Sequence, residues 1–120
     1  MIVGLGIIGG SYAKGFAKNG FDLCAIDSNP ETIQYALDNY IITEGSTTPD
    51  PEMIEKADLV IFALYPHIFK EWIAENQKYF KPGVFITDVT GVKGCIVDDI
   101  QKMLRDDCEY IAAHPMAGCE

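Results

Sequence analysis

Three glycines near the start of the chain have the spacing of a loop that binds phosphate groups. The run Gly4-Leu5-Gly6-Ile7-Ile8-Gly9 is a GxGxxG match between a short apolar stretch and a stretch of helical character. In such a loop the first glycine permits a tight turn, the second lets the backbone approach a pyrophosphate, and the third allows close helix packing. The N–H groups at the helix N-terminus then face the phosphates. We therefore predict that residues 4–9, Ile7 and Ile8 included, bind a dinucleotide, a plain strand-to-helix turn being the alternative.

An acidic residue follows at the distance expected of a ribose contact. Asp27 ends the next apolar run, 18 positions after Gly9, where about 20 are typical. Its carboxylate is expected to accept hydrogen bonds from the adenosine ribose hydroxyls, and Ser28 beside it is also predicted to contact the cofactor. A negative charge there repels a 2′-phosphate, and the single arginine, Arg105, is far away in sequence. The sequence thus predicts NAD rather than NADP. Helix capping by Asp27 is the alternative, although Ser28 or Asn29 could fill that role.

Short apolar runs alternate with amphipathic stretches along the chain, which predicts βαβ units around a mostly parallel sheet. Strands are expected at 1–3, 21–26, 59–64, 84–87 and 110–113, with a weak signal between 40 and 51, and helices at 11–18, 30–39, 52–56, 68–79 and 96–104. We predict an α/β fold of the Rossmann type, a doubly wound sheet with strand order 3-2-1-4-5-6, as one dinucleotide-binding domain over residues 1–120. Functional residues of such sheets lie past the carboxyl ends of the strands, where Asp27, Pro66, Asp88 and His114 fall. Leu64, the last residue of its predicted strand, and Pro66 are predicted to contact the cofactor.

Composition excludes several other classes of protein. With 48% hydrophobic and 22% charged residues the chain is expected to be globular. Its 18 acidic and 9 basic residues give a net charge of −9, which argues against nucleic acid or a membrane surface as a partner. The four cysteines contain no CxxC pair, so no metal site is predicted. We expect neither a signal peptide nor a membrane span, and hence a reducing, cytoplasmic location.

A second motif, His114-Pro115-Met116-Ala117-Gly118, follows the last predicted strand. Together with the run of residues 4–11, it resembles the prephenate and arogenate dehydrogenases of tyrosine biosynthesis. Their cofactor domain is similar to this chain over essentially its whole length, including Ala57-Asp58-Leu59-Val60, Thr87-Asp88-Val89 and Val92-Lys93. Many unrelated dehydrogenases share the glycine loop. The pentapeptide about a hundred residues later is the discriminating part of the resemblance.

The resemblance implies an NAD-dependent oxidative decarboxylation of prephenate to 4-hydroxyphenylpyruvate, or of arogenate to tyrosine. A hydride leaves the ring carbon that bears the hydroxyl and reaches C4 of the nicotinamide, and loss of carbon dioxide makes the ring aromatic. His114 would be the catalytic residue, hydrogen-bonded to the ring hydroxyl and accepting its proton. An imidazole, mostly neutral near pH 7, suits that role. Without the resemblance, a lone histidine at a strand end is more often a structural hydrogen-bonding residue.

The chain departs from the family pattern after the fifth strand. Many members carry a serine there, beside the histidine and the nicotinamide, whereas this chain has Gly91, with the hydroxyl of Thr90 one residue earlier. Asp88, Thr90 and Gly91 are expected near the cofactor. Partners for the substrate carboxylates are not evident, and in the family they come largely from a helical C-terminal domain that also forms the homodimer. We therefore expect a fragment of a longer enzyme that binds cofactor without turning over substrate.

Two other function classes stay open. One is another NAD(P)-dependent oxidoreductase of the hydroxyacid dehydrogenase or imine reductase type, which shares the glycine loop and does not need the pentapeptide. The other is a non-catalytic NAD-binding module, because a fold alone does not establish catalysis. Loss of activity on changing His114, with cofactor binding intact, would distinguish an enzyme from such a module. The sequence leaves open the choice between prephenate and arogenate, and feedback inhibition by tyrosine.

Overall fold

A computed structural model describes residues 1–89 and 94–112, and in this part of the chain strands and helices alternate as the sequence predicts. The elements, in chain order, are β1 (Ile2–Val3), α1 (Ile7–Lys18), β2 (Cys24–Ile26), α2 (Pro30–Asp38), β3 (Glu44–Ser46), α3 (Pro51–Glu55), β4 (Leu59–Phe62), α4 (Pro66–Asn76), a 3-10 turn (Gln77–Tyr79), β5 (Phe85–Asp88), α5 (Gly94–Met103) and β6 (Glu109–Ala112).

The six strands form one sheet in the order β3-β2-β1-β4-β5-β6, and every neighbouring pair is parallel. β1 lies in the middle, where Ile2 pairs with Ala25 of β2 on one side and with Ile61 of β4 on the other. Chain order reverses at this point, so the loops after β1 and β4 diverge and leave a crevice between them. The predicted Rossmann-type fold and its strand order are confirmed.

A buried apolar layer covers each face of the sheet. On one face α3, α4 and α5 pack on the strands, and on the other face α1 and α2 do so. The side of α4 that faces the sheet is apolar and buried, since Phe69, Trp72 and Ile73 are 0%, 8% and 0% exposed. Both faces of the central strands are therefore apolar, as expected of a parallel sheet.

The strand predicted over 21–26 is wrong in its first half, because Phe21 belongs to the end of α1. Gly20, at φ +82°, follows the helix. Its N–H donates to Ala17 O, and the N–H of Phe21 donates to Phe16 O. This pair of hydrogen bonds is a Schellman motif, which often includes an apolar contact between the two residues of its outer hydrogen bond, here Phe21 and Phe16. The rings of Phe16 and Phe21 indeed meet edge to face at 5.6 Å, and β2 begins only at Cys24.

The helix bounds also differ from the predictions by one to four residues, and the earlier starts of α1 and α4 bear on the site. α1 starts at Ile7, four residues before the predicted start at Ser11, because Gly9 and Gly10 belong to the helix and do not precede it. α4 starts at Pro66, since proline is well tolerated in the first helical turn. Both early starts bring a helix N-terminus to the carboxyl edge of the sheet. The weak third strand is present as Glu44–Ser46.

Candidate functional site

A cleft of about 490 Å³ opens at the carboxyl edge of the sheet, where chain order reverses between β1 and β4. Its walls come from the loop after β1, the first turn of α1, the ends of β2 and β5 and the β4–α4 loop. The lining residues are Gly4, Gly6, Ile7, Ile8, Gly9, Asp27, Ala63, Leu64, Tyr65, Pro66, Ile68 and Val89. Eight of the predicted cofactor residues are among them: Gly4, Gly6, Ile7, Ile8, Gly9, Asp27, Leu64 and Pro66.

Two of the loop glycines are required by the protein's own packing. Gly4 has φ +97°, and a Cβ there would lie 2.6 Å from the carbonyl oxygen of Ala63. A Cβ on Gly9 would lie 1.8 Å from the carbonyl oxygen of Gly4. The first glycine therefore allows the turn, and the third lets α1 approach the end of β1, as the sequence predicts.

The middle glycine faces open space. A Cβ on Gly6 would meet nothing within 4 Å, so the protein's own packing does not require glycine there. Gly6 is also the N-cap of α1 and makes no side-chain capping hydrogen bond. The first N–H groups of a helix have no partner within the helix, and an uncapped N-terminus attracts anions. These features fit a pyrophosphate that approaches the backbone closely.

Asp27 connects the loops after β1 and β2. Its Oδ2 accepts a hydrogen bond from the N–H of Leu5 at 2.7 Å, and its Oδ1 accepts one from the N–H of Asn29 at 2.9 Å. Helix capping falls to Asn29, whose side chain accepts from the N–H of Glu31 at 2.9 Å. A carboxylate offers about four acceptor positions. Asp27, which is partly exposed and lines the cleft, can still accept from ribose hydroxyls.

The structure does not bring two of the other predicted residues to the cleft wall. Ser28 is exposed beyond the end of β2 and is not among the lining residues. Asp88 is fully buried, with 0% of its surface exposed. Its Oδ1 accepts a hydrogen bond from the phenol of Tyr110 at 2.9 Å. In the described part of the chain, Asp88 is therefore an interior residue and not a wall of the cleft.

The Asp88–Tyr110 pair joins the last residue of β5 to the second residue of β6. The ring of Tyr110 lies edge to face with Phe69 of α4, with ring centroids 6.2 Å apart. Burial, and next the neighbouring Asp88 carboxylate, raise the pKa of the Tyr110 phenol well above its ordinary value. The phenol consequently remains protonated and donates to the carboxylate. The hydrogen bond therefore links β5, which residues 90–91 follow in sequence, to β6, which is followed by His114.

The Tyr110→Phe variant is expected to lower the free energy of unfolding by about 1–3 kcal/mol, because a buried carboxylate loses one hydrogen bond. Below pH about 10, the phenol is protonated in the folded and the unfolded chain, so the full difference is present. At higher pH only the unfolded chain releases the proton, which lowers wild-type stability and shrinks the difference. Urea unfolding of both proteins from pH 7 to pH 11 measures this effect. A difference that stays constant across this range would contradict the prediction.

Three predicted site residues lie outside the described residues. These are Thr90, Gly91 and His114. Sequence reasoning missed four lining residues: Ala63, Tyr65, Ile68 and Val89. Tyr65 is the most informative of them, being an aromatic side chain that is 77% exposed at the mouth of the cleft. Its position directly after the strand predicted over residues 59–64 was an available signal, because ligands bind beyond the strand ends.

Over residues 1–89 and 94–112, no three His, Cys, Asp or Glu side chains form a group that could hold a metal ion. None of the helices described there is long and apolar enough to cross a membrane.

Comparison with known proteins agrees with this geometry. Residues 12–120 match the family model described as "Prephenate dehydrogenase, nucleotide-binding domain". The prephenate dehydrogenase of Bacillus subtilis (strain 168) is 29% identical over an alignment of 122 residues with gaps included. The alignment covers 98% of this chain and 32% of the relative. The prephenate dehydrogenase of Lactococcus lactis subsp. cremoris (strain MG1363) is 28% identical over 123 residues, covering 98% and 34%. The chain spans about a third of the length of these curated relatives.

Solved structures extend the comparison. A. aeolicus prephenate dehydrogenase in complex with hydroxyphenyl propionate and NAD+ superposes with a TM-score of 0.81 and 33% identity, covering 99% of this chain and 42% of that one. An arogenate dehydrogenase from Synechocystis, at 23% identity and TM-score 0.83, covers 98% and 40% and supports the fold alone. The family model spans most of the sequence, and the same fold places the glycine loop and Asp27 around one cleft. The chain therefore belongs to the prephenate dehydrogenase family and carries its nucleotide-binding domain.

Proposed function

We propose that this chain is the cofactor-binding part of an NAD-dependent enzyme of tyrosine biosynthesis that oxidatively decarboxylates prephenate or arogenate. The observation that carries the proposal is the cleft, where the glycine loop, the uncapped N-terminus of α1 and Asp27 converge. The family match supplies the class of reaction. Because the chain spans about a third of its curated relatives, substrate anchoring and homodimer formation are proposed to reside in a further, helical domain. A cytoplasmic location stays a prediction.

The residues of the cleft fit NAD. The backbone around Gly6 and the first turn of α1 would hold the pyrophosphate, and Asp27 would accept from the adenosine ribose hydroxyls. Leu64 and Pro66, with Tyr65 between them, supply an apolar wall for the adenosine half. Bound NAD supplies an acceptor for the hydride that leaves the substrate. The protein's contribution is to hold the nucleotide at the carboxyl edge and to limit water there.

His114 is proposed as the residue that takes the proton from the substrate hydroxyl. It follows β6 by two positions, and Thr90 and Gly91 follow the neighbouring β5. The carboxyl ends of both strands lie on the edge where the cleft opens. A neutral imidazole there would hydrogen-bond the hydroxyl and accept its proton as the carbonyl forms. Thr90 is proposed to stand in for the serine that many relatives carry at the position of Gly91.

The alternative oxidoreductases have less support. An imine reductase from Pseudomonas sp. superposes with a TM-score of 0.79, but at 19% identity this supports a common fold only. The M. tuberculosis 3-hydroxyisobutyrate dehydrogenase has a TM-score of 0.80 at 16% identity, and this likewise supports a common fold only. A non-catalytic NAD-binding module keeps the cleft and needs no histidine after β6.

The direct test of the proposal is reduction of NAD by the complete enzyme, followed by near-ultraviolet absorbance, with prephenate and then with arogenate. Turnover with one of the two is the expected result, and it names the substrate. If neither is turned over while NAD binding is demonstrated, the nucleotide-binding role stands and the proposed reaction is wrong. The 120-residue chain serves as a control that is expected to bind NAD and to turn over neither substrate.

Binding of NAD is expected to be about tenfold or more tighter than binding of NADP, because the Asp27 carboxylate repels a 2′-phosphate at contact distance. The residues that follow Asp27 offer no compensating positive charge, since positions 28–30 are Ser, Asn and Pro. Calorimetric titration of the chain with both nucleotides at low and moderate salt measures the ratio. A preference for NADP would overturn the assignment of Asp27.

A further inference from the structure

The Asp27 side chain is a hydrogen-bonding link between two loops that both border the cleft. Its Oδ2 accepts from the N–H of Leu5, which lies between the first two motif glycines, and the N–O distance is 2.7 Å. Its Oδ1 accepts at 2.9 Å from the N–H of Asn29, the N-cap of α2. Both interactions are formed by the chain's own groups and require no nucleotide. They engage the same carboxylate that the proposed function assigns to the ribose.

The glycine loop needs such a restraint more than an ordinary turn does. Gly4 is in the left-handed region, and Gly6 is exposed and free of packing contacts at the Cβ position. Glycine adopts many backbone conformations at similar energy, so this segment loses much conformational entropy when it becomes ordered. A hydrogen bond to a charged acceptor is about twice as strong as a neutral one. The bond from Leu5 to Asp27 therefore opposes the loop's tendency to sample other shapes.

We propose that Asp27 is a positioning residue for the glycine loop, which it holds in its phosphate-binding shape before any nucleotide arrives. This role rests on the proposed function for the identity of the ligand and is additional to the ribose contact. It predicts that a change at Asp27 weakens the binding of phosphate groups that the carboxylate never touches. It also predicts that replacing the carboxylate by a neutral group does not make the site prefer NADP. The glycine loop would lose its phosphate-binding shape when the carboxylate is removed.

The Asp27→Asn variant distinguishes this role from a simple effect of charge. If charge alone mattered, a neutral side chain would strengthen the binding of a pyrophosphate, since a nearby anion is removed. The amide has one accepting oxygen and one donating nitrogen. It therefore cannot accept from both Leu5 and Asn29 in the geometry of the carboxylate, and one N–H is left without its acceptor. The positioning role predicts weaker binding of the pyrophosphate, which is the opposite sign.

The experiment compares ADP with 2′,3′-dideoxy-ADP as ligands of the 120-residue chain, by calorimetry or chemical-shift titration. The dideoxy compound keeps the diphosphate and lacks the hydroxyls that Asp27 is proposed to bind. We expect Asp27→Asn to weaken dideoxy-ADP binding by about tenfold. The matched control is Asp22→Asn, an exposed aspartate outside the cleft wall that carries the same change in charge. It is expected to leave both affinities within about twofold.

Amide hydrogen exchange of Leu5 in the nucleotide-free chain gives a readout that needs no ligand, and its wild-type result is informative without any variant. Slow exchange is expected in the wild type and faster exchange in Asp27→Asn, with no change in Asp22→Asn. Fast exchange of Leu5 in the wild type would overturn the proposal even if the Asn variant failed to fold. Unchanged dideoxy-ADP affinity in a folded Asp27→Asn protein would also overturn it and leave the proposed function intact. Failure of the wild type to bind ADP, with Leu5 protected, would count against the proposed function instead.

Discussion

In the complete enzyme, the His114→Asn variant is expected to lose about 10²- to 10⁴-fold in kcat with prephenate or arogenate, the usual contribution of a positioned general base. Asparagine keeps a hydrogen-bonding side chain of similar size, but it does not accept a proton near neutral pH. NAD binding is expected to change by less than about twofold, because the described cofactor cleft is built from other residues. Steady-state kinetics and calorimetry on the same preparations measure the two quantities.

The matched control is His67→Asn, which changes the chain's other histidine. His67 is exposed in the first turn of α4 and is absent from the cleft wall. Its replacement is expected to leave kcat within about twofold. Full turnover by His114→Asn would remove the catalytic assignment. An equal loss in both variants would indicate a general effect of altering this end of the domain, and that too would contradict a specific role for His114.

Replacement of Gly9 by alanine is expected to lower the free energy of unfolding by about 2 kcal/mol or more and to reduce NAD affinity along with it. The new Cβ would lie 1.8 Å from the carbonyl oxygen of Gly4, so α1 or the loop must move. The better helix propensity of alanine, about 1 kcal/mol, offsets only part of this cost. Thermal unfolding is expected to show a decrease of roughly 6–12 °C in Tm.

Gly15 provides the control within the same helix. A Cβ there meets nothing within 4 Å, and the position is exposed. Gly15→Ala is therefore expected to raise the free energy of unfolding by about 0.5–1 kcal/mol without affecting NAD. The test is whether the same substitution, glycine to alanine, lowers the free energy of unfolding at position 9 and raises it at position 15. A stable Gly9→Ala protein with normal NAD affinity would contradict the close packing of helix and loop.

The sequence predicts the part of the site that depends on residue type at fixed spacing. A Cβ is blocked at Gly4 and Gly9, and Gly6 is expected to face the pyrophosphate, so their spacing, taken together with Asp27 after the next strand, indicates the cleft. The unbroken apolar run over residues 59–64 is typical of a central parallel strand, and the glycine loop after the first strand is typical of a Rossmann-type sheet, which has this strand order. These features are local or follow general rules, which makes them visible in a single sequence.

Features that depend on packing in three dimensions were not predictable in this way. Phe21 is an aromatic residue of the kind common in strands. It instead packs at the end of α1, because the turn at Gly20 places its ring against that of Phe16. Asp27 and Asp88 both follow apolar runs in the sequence, but Asp27 lies one residue beyond β2, whereas Asp88 is the last residue of β5, is fully buried and meets Tyr110. The apolar runs alone do not show where each strand ends. The difference arises from where strand pairing ends and from the face of the sheet that Asp88 occupies.

The central position of β1 governs the order in which the domain can assemble. This strand contains only Ile2–Val3, and its partners on either side are in β2 and in β4. Gly4 in turn packs against the carbonyl oxygen of Ala63. Contacts between residues so far apart in sequence form slowly, because the intervening chain must first be ordered. A growing polypeptide that has not yet emerged as far as Ala63 thus contains the entire glycine motif without a nucleotide site.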